Sequence, residues 1–131
     1  MKENPEYTKN LSALRTKITE PVDNLETFPA PKNITTVKFY TDELTSLCPI
    51  TGQPDFGKLT IEYEPNSLCL ESKSLKLYLW TFREEGHFCE ALASEIAEKI
   101  FETLQPKWVK VINEQSKRGG IETTAIGYFE E

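Results

Sequence analysis

With 131 residues, 38% of them hydrophobic and 27% charged, the chain has the size and balance of one globular domain that buries a core without staples. No apolar run approaches the roughly 18 residues of a membrane helix, and no apolar stretch follows Met1-Lys2-Glu3-Asn4-Pro5-Glu6, so a signal peptide is not expected and the cytoplasm is. A net charge of −6 disfavours broad nucleic-acid binding, and the wide spacing of Cys48, Cys69 and Cys89 fits reduced thiols better than a disulfide framework or a structural zinc site.

Residues 1–33 carry Pro5, Pro21, Pro29 and Pro31 without sustained periodicity and read as an N-terminal arm before a single domain at 34–131. Ile34 to Tyr40, rich in Thr, Val and aromatics, predicts a strand. Gly57 to Glu64 predicts another, because Leu59, Ile61 and Tyr63 alternate with Lys58, Thr60 and Glu62. The stretch between them reads as a loop of about 15 residues, a length usually functional or disordered, and it holds Cys48 and Asp55. Ser72 to Phe82 is ambiguous by period, but its Leu and Lys favour helix. A second helix is signalled by Phe88, Leu92, Ile96, Ile100, Phe101 and Leu104 at steps of three and four, with Gly86 before it and Pro106 to end it. Lys107 to Gln115 and Ile121 to Phe129 read as strands of a hairpin turning at Gly119-Gly120. The order ββααββ predicts an α+β layer, a four-stranded antiparallel sheet with two helices on one face. Its open edges call for pairing, and a homo-oligomer is the expected solution.

The residue types point to chemistry in three places. Cys48, in a turn-rich loop shaped by Gly52 and Pro54, suits a thiolate nucleophile, and Asp55 suits a proton donor to the atom under attack. The alternatives are a buried small hydrophobe for Cys48 and a turn-capping role for Asp55. Lys73, Lys76 and Arg83, with Ser72, Ser74 and Thr81, form a cationic and hydroxylic cluster suited to phosphates, or else a solvated helix face. No Gly-x-Gly-x-x-Gly motif is present, so a dinucleotide would bind outside a Rossmann site. Glu90 stands where a helix dipole favours a carboxylate, and it also suits two N–H donors of a planar heterocycle that Phe88 would cover. Arg118 reads as a hairpin residue free to reach a phosphate.

Two segments carry a family resemblance: Ser46-Leu47-Cys48-Pro49-Ile50-Thr51-Gly52-Gln53-Pro54-Asp55-Phe56, and Glu71-Ser72-Lys73-Ser74-Leu75-Lys76-Leu77-Tyr78. With them the chain resembles the short, single-module NADPH-dependent 7-cyano-7-deazaguanine reductases of queuosine biosynthesis, over roughly residues 34–128. The resemblance implies the tunnelling fold, whose subunits join sheet to sheet into rings. It implies that Cys48 adds to the nitrile carbon as a thioimidate and Asp55 protonates the nitrogen. It places NADPH near Ser72, Lys73, Ser74, Lys76, Arg83 and Arg118, and the substrate near Glu90, Phe88, Cys89, Glu71 and Ser72, with no metal. The chain departs from the family at Phe88-Cys89-Glu90, where Phe-His-Glu is usual, and at Thr81, where a serine is usual. Cys89 suggests a reversible disulfide with Cys48. Two other readings keep part of the pattern: an amidinotransferase-like relative that forms a thioimidate and acts on modified tRNA, and a metal-dependent purine- or pterin-binding tunnelling-fold enzyme, with Cys48, His87 and Cys89 as weak ligands.

Overall fold

Leu59, Ile61 and Tyr63 sit on the buried face of their strand, as the alternation requires, and they floor the core. The computed structural model describes residues 22–131. Its elements are β1 (Thr27–Pro29), β2 (Val37–Leu47), β3 (Pro54–Glu64), β4 (Leu68–Leu70), α1 (Ser72–Trp80), α2 (Cys89–Leu104), β5 (Trp108–Arg118) and β6 (Ile121–Glu130). A four-stranded antiparallel sheet runs β2-β3-β5-β6, so β2 and β6 are its outer strands. The expected α+β layer and the ββααββ order of sheet strands and helices hold, and β1 and β4 add a small separate sheet.

α2 lies against β5 and β6. Its Leu92, Ile96, Ile100 and Leu104, at helical spacing, meet Leu59, Ile61, Tyr63, Val109 and Val111 in one core with Leu75 and Tyr78 of α1. The helix approaches the sheet closely at Gly127, where a Cβ would stand 2.5 Å from the carbonyl oxygen of Ala93 and 3.1 Å from Ala97 Cβ. Glu71 starts α1: its carboxylate accepts from the backbone N–H groups of Lys73 and Ser74 at 2.6 and 2.7 Å, satisfying two of the helix's orphan donors. Among the described residues no helix is long and apolar enough to cross a membrane.

One expectation needs correction. The long loop between the first two strands is mostly strand, because β2 continues to Leu47 and β3 begins at Pro54. A β-bulge between Thr41 and Leu44 shifts the register, and the Glu43 N–H donates to Thr41 Oγ1 at 3.1 Å. The polar Thr41-Asp42-Glu43 stretch hides the alternation, and beyond the bulge Leu44 and Ser46 turn inward. The connection shrinks to Cys48–Gln53, and Asp55 belongs to β3.

Of the expected arm, residues 1–21 lie outside the described part. From Val22 onward the segment packs on the domain: β1 pairs with β4, Leu25 is buried in the core, and the Glu26 N–H donates to Ser74 Oγ at 2.9 Å.

Candidate active site

The end of β2 is clamped from the side. The Leu47 N–H donates to the Glu85 carbonyl at 2.8 Å and the His87 N–H to the Leu47 carbonyl at 3.0 Å. Gly86 between them lies so near Pro49 that a Cβ there would stand 3.2 Å from Pro49 Cα. The next residue is Cys48. Its N–H donates to the Gln53 carbonyl at 2.8 Å, and its carbonyl accepts from the Gly52 N–H at 2.9 Å. Gly52 makes this turn with φ of 72°, in the left-handed region that glycine adopts without strain.

That turn surrounds the sulfur with donors. The Thr51 hydroxyl contributes most, then the backbone N–H groups of Thr51 and Ile50, then Arg118, and together they outweigh burial and pull the thiol from its ordinary 9.0 down to about 6. Asp55 stands opposite Ser46 across the β2–β3 ladder, its side chain 5% exposed. Arg118 links the two: Nη2 donates to Cys48 Sγ at 3.1 Å and Nη1 to Asp55 Oδ2 at 3.2 Å. A register shift between Gln115 and Arg118, beside the hairpin turn at Gly119 and Gly120, re-aims this side chain. Nucleophile, carboxylate and cation thus form one cluster, and the sequence had paired Arg118 with a phosphate instead.

Residues 54–130 match the family model described as QueF-like protein. The chain is 46% identical over 108 residues to the NADPH-dependent 7-cyano-7-deazaguanine reductase of Halorhodospira halophila, covering 81% of this chain and 92% of that protein. It is 44% identical over 107 residues to the enzyme of that name from Anaeromyxobacter sp. (strain Fw109-5), covering 80% and 88%. The chain belongs to the QueF-like family. Its fold also matches a crystal structure titled archaeosine synthase QueF-Like in the apo form, with a TM-score of 0.69 and 27% identity over 74% of this chain and 95% of the other. The α+β architecture is therefore the tunnelling fold.

In this QueF-like chain the start of α2 divides its residues sharply. Phe88 and Glu90 are exposed, Phe88 to 59%. Cys89 is buried; its thiol donates to the Asn113 carbonyl at 3.4 Å and lies 3.8 Å from that of Thr123, and burial pushes its pKa up. All three cysteines are free thiols. His87 faces Glu85 at 2.8 Å and Glu95 at 3.6 Å, and among the described residues no group of three His, Cys, Asp or Glu is placed to hold a metal ion. Asn113 escaped the sequence reading. Its Nδ2 donates to the Cys89 carbonyl at 3.3 Å, while its buried Oδ1, beside Gly57, has no hydrogen-bond partner among the described residues. The signal was available, since Asn113 follows Val109 and Val111 at the inward positions of β5.

Part of the cationic cluster lines a cavity of about 260 Å³ between α1 and β2, with Glu43 on the β2 side. Ser72, Lys76 and Arg83 line it together with apolar Leu59, Ile61 and Trp80, and the Arg83 guanidinium lies 5.1 Å from the Trp80 ring centroid. A flat ring bearing an anionic group would suit this lining. Ser74 is fully buried and donates to the Glu71 carbonyl, so its hydroxyl supports the segment from within. Glu71 is likewise committed to the helix cap, and Lys73 is partly buried beside it. The structure therefore separates Ser72, Lys76 and Arg83, at the cavity, from Arg118, at the sulfur.

Proposed function

We propose that this chain reduces the nitrile of 7-cyano-7-deazaguanine to the aminomethyl group with NADPH, a step of queuosine biosynthesis, through a thioimidate on Cys48. The observation that carries the mechanism is the cluster of a thiolate-favouring Cys48 loop and a nearly buried Asp55, within a family whose relatives bear the reductase name. A nitrile accepts hydride poorly, and addition of the sulfur converts it to a C=N that reduces more readily. Cys48 supplies the sulfur. Asp55 delivers a proton to the nitrogen as charge develops there. Glu90, exposed in the first turn of α2, accepts from the N–H groups of the deazaguanine edge, and Phe88 covers the ring.

The α1 cavity fits one end of a dinucleotide: an apolar floor for a ring, with Lys76 and Arg83 for phosphate oxygens and the Ser72 hydroxyl between them. NADPH supplies hydride when bound. The chain's own residues orient it, exclude water and hold the acceptor carbon on Cys48. The single-sided strands β2 and β6, with Tyr40, Ile126 and Tyr128 at least half exposed on them, favour assembly of copies edge to edge into a cytoplasmic homo-oligomer.

Steady-state turnover tests the reading. The purified chain, given the nitrile and NADPH, should release the amine and consume two NADPH for each one formed, and Cys48→Ala should release none. Amine from Cys48→Ala would overturn the covalent route, and none from the wild type would overturn the reductase reading.

A further inference from the structure

We infer that Arg118 is the counter-ion of the reaction's moving charge, paired with the Cys48 sulfur before attack and with the Asp55 carboxylate after it. The inference rests on the covalent reading above and assigns Arg118 to chemistry as well as to any phosphate it meets.

The geometry sets the accounting. One guanidinium reaches both acidic groups through separate nitrogens, Nη2 to Sγ and Nη1 to Oδ2. Two acids on one cation are neutral when they share one proton. With a deprotonated sulfur and a protonated Asp55, the cluster is balanced and armed. In the attack, the S–C bond forms and one π bond of the nitrile breaks. The nitrogen takes the proton of Asp55. Nothing is oxidised or reduced in this step. The negative charge leaves the sulfur and appears on the carboxylate, so Arg118 faces one anion throughout. A fixed fork spanning both positions meets that need without reorganising, which an ammonium on a flexible stem does less well.

The surroundings give the sulfur and the carboxylate unequal support. The sulfur also receives donors from Thr51 and Ile50. For the nearly buried Asp55 side chain, Arg118 is the ion-pair partner found among the described residues. Close by, Lys117 is drawn to Glu122 at 4.0 Å, across the turn from Arg118. Losing the guanidinium should therefore weaken both ends of the charge movement, the thiolate before attack and the carboxylate after it.

The test measures adduct formation without NADPH, so cofactor binding does not enter. Wild type, Arg118→Lys and Arg118→Ala are mixed with 7-cyano-7-deazaguanine, and the covalent adduct is followed over time by intact-protein mass spectrometry at several pH values. Arg118→Ala should form it about tenfold to a hundredfold more slowly at neutral pH, the range expected for a lost hydrogen bond to a charged group. Arg118→Lys should fall between wild type and Arg118→Ala. The side chain is 46% exposed, so its removal leaves the core intact, and matching thermal melts check this. An unchanged adduct rate in Arg118→Ala, with only the KM for NADPH raised, would overturn the inference. A wild type that forms no adduct would overturn the covalent reading beneath it.

Discussion

If the donors around Cys48 hold its pKa near 6, the thiol's chemistry should show it in a particular way. The group is protonated below that value and thiolate above it. At pH 7 it would be about 90% thiolate against about 1% for a thiol at its ordinary 9.0, a gain of about ninetyfold. A stabilised thiolate is also a weaker nucleophile. Over three pKa units, the usual dependence of reactivity on basicity removes about twentyfold. The two effects leave a net advantage of only about fourfold at pH 7. The decisive observable is the shape of the profile: alkylation of Cys48 by iodoacetamide should rise to a midpoint near pH 6 and then flatten. Cys48 is 6% exposed, and that restricted access lowers the plateau without moving the midpoint. Cys69 and Cys89 are buried with raised pKa values, so peptide mapping should find the label on Cys48. Thr51→Val removes the largest of the lowering contacts and should shift the midpoint upward. A wild-type rate still climbing about tenfold per unit above pH 7 would refute the reasoning, because it is the behaviour of an unassisted thiol.

Other perturbations test the scaffold and the cavity. Gly127→Ala would force a Cβ to within 2.5 Å of the Ala93 carbonyl oxygen, so α2 must shift from the sheet; urea unfolding should show a loss of about 1–3 kcal/mol. Gly86→Ala would press on Pro49 from 3.2 Å and displace the turn that carries the nucleophile. Its kcat should fall roughly tenfold while its melting temperature changes little, since small misplacements cost rate before they cost stability. Lys76→Ala should raise the KM for NADPH in steady-state assays and leave formation of the nitrile adduct at the wild-type rate.

Much of this fold could be read from pattern alone, for physical reasons visible in particular residues. Leu59, Ile61 and Tyr63 announced β3, and the helical spacing of Leu92, Ile96 and Ile100 announced α2, because each element buries one face. Thr41-Asp42-Glu43 concealed the continuation of β2, since a bulge interrupts the alternation that strand reading depends on. β1 and β4 escaped notice because three-residue strands carry too little period. At the site, Cys48 and Asp55 were legible as residue types on a short stretch. Arg118 was visible only as a hairpin cation, and its approach to the sulfur depends on a register shift in β5, which no local sequence signal encodes. Trp80 lay in a stretch whose period was ambiguous, and its place in the cavity wall emerges only once α1 lies beside β2.

The central claim is that Cys48 forms a covalent bond to the nitrile carbon and that NADPH discharges it. The most direct measurement is the intact mass of the protein after mixing with 7-cyano-7-deazaguanine, before and after NADPH is added. The account predicts a gain of one substrate mass that maps to Cys48, is absent in Cys48→Ala, and disappears on NADPH addition as the amine is released. A wild-type protein whose mass does not change, or an adduct that persists in Cys48→Ala, would contradict it.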